Sequence, residues 1–289
     1  MRNILITGGA GFIGSNICEY FSKDLNNNVF SLDNYSTGSE KNHVDNVTYI
    51  VGDTKNIFSL CDFSPDLVIH LGEYSRVEQS FDDMRRVWDS NKSGTFEVLE
   101  FCKENKAKLV YAGSSTKFGD LGKGKDQTPY GWTKSSNTEL VVRYGDWFNL
   151  EYAIVYFYNA YGKREISSGK YATLIAIFTE QMKKGESLTV VKPGNQLRNF
   201  THIDDIVSGI DLVALKGSGD GYGIGSNQSY SVLEIAQFFG GEIEFLPPRR
   251  GNRQSADLLT EKTLALGWEP ENDIKEYIDQ LRSNNWISN

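Results

Sequence analysis

The segment Thr7-Gly8-Gly9-Ala10-Gly11-Phe12-Ile13-Gly14-Ser15 constrains what this chain can fold into more than any other stretch. It follows the apolar run Ile4-Leu5-Ile6 and precedes an amphipathic stretch, which predicts a strand, a tight turn and a helix in immediate succession. Glycine carries no Cβ, so Gly8, Gly11 and Gly14 let the turn close tightly. The backbone N–H groups around Phe12 and Ile13 are then left at the positive end of a helix dipole. A dinucleotide pyrophosphate needs that combination. A strand-to-helix turn without a ligand would also use glycines, but an acidic residue about 20 residues on favours the ligand. Asp33 ends the second strand-like run, where its carboxylate can accept from ribose hydroxyls and would repel a 2′-phosphate. No Arg or Lys stands in Asn34-Tyr35-Ser36-Thr37, so NAD is expected rather than NADP, with Asn34, Ser36, Thr37 and Gly38 on the ribose side.

The rest of the first half repeats this alternation. Strands are expected at 3–7, 29–33, 47–51, 67–71, 108–113 and 152–158, with helices at 14–25, 57–61, 81–105 and 130–148. Short apolar runs joined by helices are the pattern of a parallel sheet covered on both faces, so an α/β Rossmann-type doubly wound sheet with right-handed crossovers is expected. The alternation weakens after Gly162. Helices are expected at 171–184, 203–216, 232–239 and 274–282 and a strand at 187–191, while Gly217-Ser218-Gly219-Asp220-Gly221 reads as a loop. The division that follows is a nucleotide-binding domain at 1–162, to which a segment near 196–216 returns, and a smaller α/β substrate lobe at 163–195 and 217–289.

Charge and cysteine usage exclude several classes. Lys and Arg total 30 against 38 Asp and Glu, a formal charge of −8, which argues against a nucleic-acid or anionic-lipid surface. Cys18, Cys61 and Cys102 are far apart, with no CxxC pair and no clustered His, so neither a disulfide framework nor a metal site is expected. No run approaches the roughly 18 residues of a membrane span, and the apolar start is too short for a signal-peptide core. A cytoplasmic protein with no membrane partner is expected.

Chemistry is suggested by Tyr130-Gly131-Trp132-Thr133-Lys134. Residues four apart share a helix face, so the Tyr hydroxyl and the Lys ammonium can approach one bound molecule. A free Tyr titrates near pH ~10, and a neighbouring ammonium favours its phenolate. The spacing alone also fits an exposed helix face; it gains weight because Ala112-Gly113-Ser114-Ser115-Thr116 places hydroxyls at a strand's carboxyl end, where doubly wound sheets bind ligands.

With these residues in view, the chain resembles the extended short-chain dehydrogenase/reductases, in particular the nucleotide-sugar epimerase/dehydratase group that includes UDP-galactose 4-epimerase. The resemblance runs nearly end to end. Besides the glycine turn it rests on Asp33-Asn34, Gly52-Asp53, His70-Leu71, Asn91-x-x-Gly94-Thr95, Ser114-Ser115, Tyr130-x-x-x-Lys134, Asn159-Ala160-Tyr161-Gly162 and the run Arg198-Asn199-Phe200-Thr201-His202-Ile203-Asp204-Asp205. It implies Asp53 and Thr54 at the adenine, Leu71 and Gly72 along the cofactor and Asn91 near its ribose-phosphate region. Tyr130 would be the base, Lys134 would hold the nicotinamide ribose, and Ser114 would bond the reacting sugar hydroxyl. Counting back from Phe118-Gly119 selects Ser114 over Ser115. Ser75, Ser115, Asn159, Arg198 and Arg249 would contact a nucleotide-diphosphate sugar, and helices near 91–105 and 130–148 would pair in a homodimer.

Departures from the family's pattern bear on the reaction. Dehydratases place an Asp-Glu pair where this chain has Ser115-Thr116, and neither hydroxyl is a general acid or base in that range, which favours epimerisation, with the C4 position expected. The alternatives from the same residues are a dehydrogenase or 4-ketosugar reductase with net redox change, or a non-catalytic NAD-binding protein. Glu73 stands where small residues are usual and reads either as a contact to sugar or nicotinamide or as a surface carboxylate; Lys117 and Tyr156 also depart, and the 120–129 connection is short.

Overall fold

The computed structural model describes residues 1–118, 123–248 and 257–287. Seven parallel strands form the central sheet. In chain order they are β1 (Arg2–Thr7), β2 (Asn27–Asp33), β3 (Val47–Val51), β4 (Leu67–His70), β5 (Lys108–Ser114), β6 (Tyr152–Phe157) and a last strand at Gly219–Ile224. Their spatial order is Gly219–Ile224, β6, β5, β4, β1, β2, β3, so the winding reverses between β1 and β4 and opens a crevice at their carboxyl ends. This is the doubly wound architecture expected from the sequence.

The apolar runs are buried on both faces. Ile4 and Ile6 of β1, Leu67 and Ile69 of β4, Val110 and Ala112 of β5 and Ala153 and Val155 of β6 pack on one side, with the helices Phe12–Ser22 and Ile203–Lys216. Leu5, Val68, Leu109, Tyr111, Ile154 and Tyr156 pack on the other, with Gly94–Asn105 and Pro129–Phe148. Fully burying each large aliphatic side chain contributes ~1.5–3 kcal/mol, which is why uninterrupted β-branched runs go to a sheet covered twice. A third core, including Tyr161, Phe178, Leu188, Phe239 and Ile278, lies among Leu174–Lys184, Val232–Phe239, Ile274–Ser283 and the paired strands Leu188–Val191 and Ile243–Leu246.

Two expectations need correction here. The stretch read as a loop from Gly217 to Gly221 runs into the edge strand Gly219–Ile224, so 219–224 belongs to the central sheet and not to a C-terminal lobe. Glycines in it and just after it permit close approach: a Cβ at Gly223 would collide with the Leu259 carbonyl, and one at Gly225 would meet Tyr158 at 2.6 Å. The helix expected at 81–105 starts at Met84 and runs without a break to Asn105, with a π segment, Trp88–Ser93, between Met84–Val87 and Gly94–Asn105. No helix among the described residues is long and apolar enough to cross a membrane.

Candidate active site

A cleft of about 510 Å³ lies over the carboxyl ends of the strands, between the sheet and the segment that leads into Leu174–Lys184. Its nucleotide end is built by the glycine turn. Gly8 adopts φ +74°, Gly11 N–H donates to the Gly8 carbonyl at 3.1 Å, and a Cβ on Gly14 would collide with that same oxygen. Gly11 caps the helix Phe12–Ser22 without a side-chain bond, so the N–H groups of the first turn are left for a ligand. Asp33 accepts from Ala10 N at 2.9 Å and Tyr35 N at 2.7 Å. Burial pushes its carboxyl up, opposed by those two N–H groups. Asn34 Nδ2 donates to Asp53 Oδ1 at 2.6 Å. Gly8, Gly11, Phe12, Ile13, Gly14, Asp33, Asn34, Ser36, Thr37, Asp53, Thr54, Leu71 and Gly72 all line this end.

At the other end the helix Pro129–Phe148 begins where a Thr-Pro pair dictates, with Thr128 Oγ1 capping Gly131 N at 2.9 Å and Pro129 in the first turn. That start brings Tyr130 to the end of β5, and its hydroxyl donates to Ser114 Oγ at 3.1 Å. Ser75, Ser115 and Asn159 line the same end.

Lys134 reaches the cleft from one turn further along the helix, but its Nζ is held by the Ala112 carbonyl at 2.5 Å and by the Glu73 carboxylate. Glu73 is therefore no surface carboxylate: its side chain is 3% exposed and that of Lys134 6%. Its Oε1 also accepts from Thr95 Oγ1 at 2.8 Å, Asn137 Nδ2 at 2.9 Å and Tyr111 OH at 3.2 Å. Burial alone would raise the Glu73 carboxyl, yet the Lys134 ammonium, His70 and the hydrogen bonds from Lys134 and Thr95 together hold the group below its ordinary range.

The same chain of contacts continues to the glycine turn. His70 Nε2 is 3.0 Å from Thr95 Oγ1, and its Nδ1 is 2.7 Å from Thr7 Oγ1. Because Thr95 gives its own proton to Glu73, the bonding assigns the His70 proton to Nε2, with Thr7 donating to Nδ1. Burial lowers the His70 pKa to about 4, so the ring is neutral near pH 7. Thr7 Oγ1 in turn accepts from Leu71 N and Gly72 N, tying the ends of β1 and β4 together at the crevice.

Three expected contacts fall elsewhere, and a fourth residue is not among those described. Asn91 is fully buried behind the cleft wall, where it accepts from Tyr74 N at 2.6 Å and donates to Tyr74 O and Thr133 Oγ1; it fixes the loop after β4 and leaves no face for a ribose. Gly38 packs under the turn, where a Cβ would lie 3.0 Å from Ala10 and from Asp33 Oδ1. Arg198 lies outside the cleft lining, in the two-residue strand Leu197–Arg198 paired with Tyr230–Ser231, where its Nη1 donates to Leu197 O at 2.8 Å. Arg249 is outside the described residues. Arg76, which the motifs did not single out, lines the cleft. The available signal was a charged residue a few positions beyond the end of an otherwise apolar strand.

Residues 4–225 match the NAD dependent epimerase/dehydratase family. The chain belongs to that family. A putative UDP-glucose 4-epimerase of Methanocaldococcus jannaschii is 32% identical over 305 residues, covering 99% of this chain and 98% of the relative. The fold also matches a UDP-glucose 4-epimerase from Thermotoga maritima, solved with UDP-glucose, at TM-score 0.89 and 26% identity, covering 98% and 99% of the two chains. A Thermus thermophilus UDP-glucose 4-epimerase complexed with NAD matches at TM-score 0.87 and 26% identity, with 99% of each chain covered. This epimerase/dehydratase is an NAD-using enzyme of the extended short-chain dehydrogenase/reductases. The residues present fit the cofactor: a turn that a Cβ would fill, uncapped helix N–H groups and an acid at the end of β2.

Proposed function

We propose that the chain epimerises a nucleotide-diphosphate sugar at C4 through a transient ketosugar. The observation that carries this is Tyr130 OH hydrogen-bonded to Ser114 Oγ at 3.1 Å, inside the cleft that the glycine turn opens. Ser114 orients the sugar hydroxyl, and Tyr130, acting as its phenolate, takes the proton as the C–O bond gains double-bond character. The hydrogen on that carbon leaves with its electron pair, and bound NAD supplies the acceptor and later the donor of that pair. The ketosugar turns within the cleft, the hydrogen returns to its opposite face, and Tyr130 gives the proton back to oxygen. Atoms and electrons balance with no net redox change. Dehydration would need an acid and a base beside Ser114, and Ser115 and Thr116 line the cleft there instead.

The nucleotide half is assigned to 1–162 with the returning segment near 196–216, and Asn159, which lines the cleft, to the diphosphate side. Function as a homodimer in the cytoplasm completes this reading. The dimer is supported by Trp88 and Trp132, whose rings stack at 6.1 Å while remaining 44% and 42% exposed.

The purified enzyme should interconvert a UDP-sugar and its C4 epimer with no stoichiometric change in nicotinamide absorbance. Tyr130→Phe should lose turnover by about 100-fold or more while keeping bound NAD. Full activity in that variant overturns the assignment, and a stoichiometric absorbance change makes the enzyme a net oxidoreductase.

A further inference from the structure

The loop after β4 carries a cation whose charge no carboxylate among the described residues balances. Arg76 lines the cleft with Ser75 and Tyr130. Its Nη1 donates to the Ser75 carbonyl at 3.3 Å and its Nη2 to the Tyr171 carbonyl, while its Nε is buried with no partner. Tyr171 belongs to the segment ahead of Leu174–Lys184, so the guanidinium bridges the sheet side of the cleft to the opposite wall.

No carboxylate among the described residues lies within 4 Å of Arg76. Of the acids around this loop, Glu73 is engaged with Lys134, and Asp83 with Lys170 and the Tyr74 hydroxyl. The ionisable groups around it are three phenols, Tyr130, Tyr171 and Tyr74. A desolvated guanidinium with a buried, unsatisfied donor is costly, and a protein retains one where a ligand supplies the counter-charge.

Of the anions a nucleotide sugar and its cofactor bring, the cofactor pyrophosphate has its cradle at the glycine turn. The substrate diphosphate is assigned to the side of Asn159, which lines the cleft. Tyr130, which lines the cleft together with Arg76, is the group at the reacting carbon. The geometry points to Arg76 as the recognition residue for a carboxylate on the sugar ring, making hexuronic-acid nucleotides the substrate class of this site. This rests on the proposed C4 epimerisation and specifies it. A carboxylate presents two acceptors in the plane that a guanidinium fork matches, and one of them would satisfy Nε.

The test uses the full-length, NAD-loaded protein and measures affinity for UDP, UDP-glucose and UDP-glucuronate by thermal stabilisation and titration, with turnover of both sugars. The wild type should bind and turn over UDP-glucuronate in preference to UDP-glucose by about tenfold to a hundredfold, the worth of a charge-assisted hydrogen bond. Arg76→Gln should abolish that preference and leave affinity for UDP and UDP-glucose unchanged. Arg76→Lys, which keeps the charge without the fork, should retain a smaller preference and serves as a second reading if the Gln variant is unstable. Equal weakening of all three ligands in Arg76→Gln would make the residue a diphosphate contact and overturn the inference alone. So would turnover of UDP-glucose in preference to UDP-glucuronate by the wild type, unaffected by either variant. Intact NAD binding with no response to any nucleotide sugar would overturn the proposed function and this inference together.

Discussion

Glu73 and Lys134 show how one side chain alters the meaning of a motif. Tyr130 and Lys134 four residues apart announce a shared face, but spacing does not say what else meets the ammonium. Glu73 lies 61 positions away in sequence and is brought there because the chain leaves β4 beneath the helix that carries Lys134. Removing one partner of a buried pair leaves the other uncompensated. Glu73→Ala should therefore lower unfolding stability by about 3–5 kcal/mol, read from denaturant titration of the holoenzyme. Glu73→Gln, which keeps the volume and one acceptor, should lose less. Equal stability of both variants and the wild type would contradict the buried pair. Asn91 was legible as important and misassigned in role, since its motif spacing carries no information about which way a buried amide faces.

At the scale of elements, the glycine turn and the segment after Gly162 behave differently. Gly14→Ala puts a methyl onto the Gly8 carbonyl, so the turn must open and the first-turn N–H groups move. Retention of NAD through purification should fall, with affinity reduced by about tenfold or more in titration, while secondary structure by circular dichroism stays intact. Glu165 ties the second segment together, accepting from Gly162 N at 3.0 Å and Thr173 Oγ1 at 2.6 Å. Burial raises its pKa to about 7, above the ordinary 4.5. The native state then holds a proton that the unfolded chain has released, so between about pH 4.5 and 7 stability falls as pH rises. Glu165→Gln should flatten that slope in melting curves taken across the window; an unchanged slope would show that the group titrates normally. Helix boundaries such as 203–216 were readable because a long 3.6-residue pattern overdetermines them. The strand Gly219–Ile224 was not, because the glycines in it and just after it answer to the Leu258-Leu259 segment and Tyr158 packed on them, which local sequence does not reveal.

For the whole molecule, the stacked Trp88 and Trp132 lie on helices that cover one face of the sheet. Trp88→Glu with Trp132→Glu should convert a dimer to a monomer in sedimentation velocity while NAD remains bound, and a wild-type monomer would remove the dimer from the reading. The strand order, the two-sided core and the crevice between β1 and β4 follow from alternation and handedness, which are properties of consecutive residues. The sequence by itself therefore determined the doubly wound sheet, the cofactor end of the cleft and the Ser114, Tyr130 and Lys134 set, since each is encoded within a strand, a turn or a helix face. Only the tertiary structure decided the partner of Lys134, the burial of Asn91, the edge strand and the charge of Arg76, which no carboxylate among the described residues balances. These depend on contacts between residues tens of positions apart, where burial and the absence or presence of a counter-charge are set by the packing of whole elements.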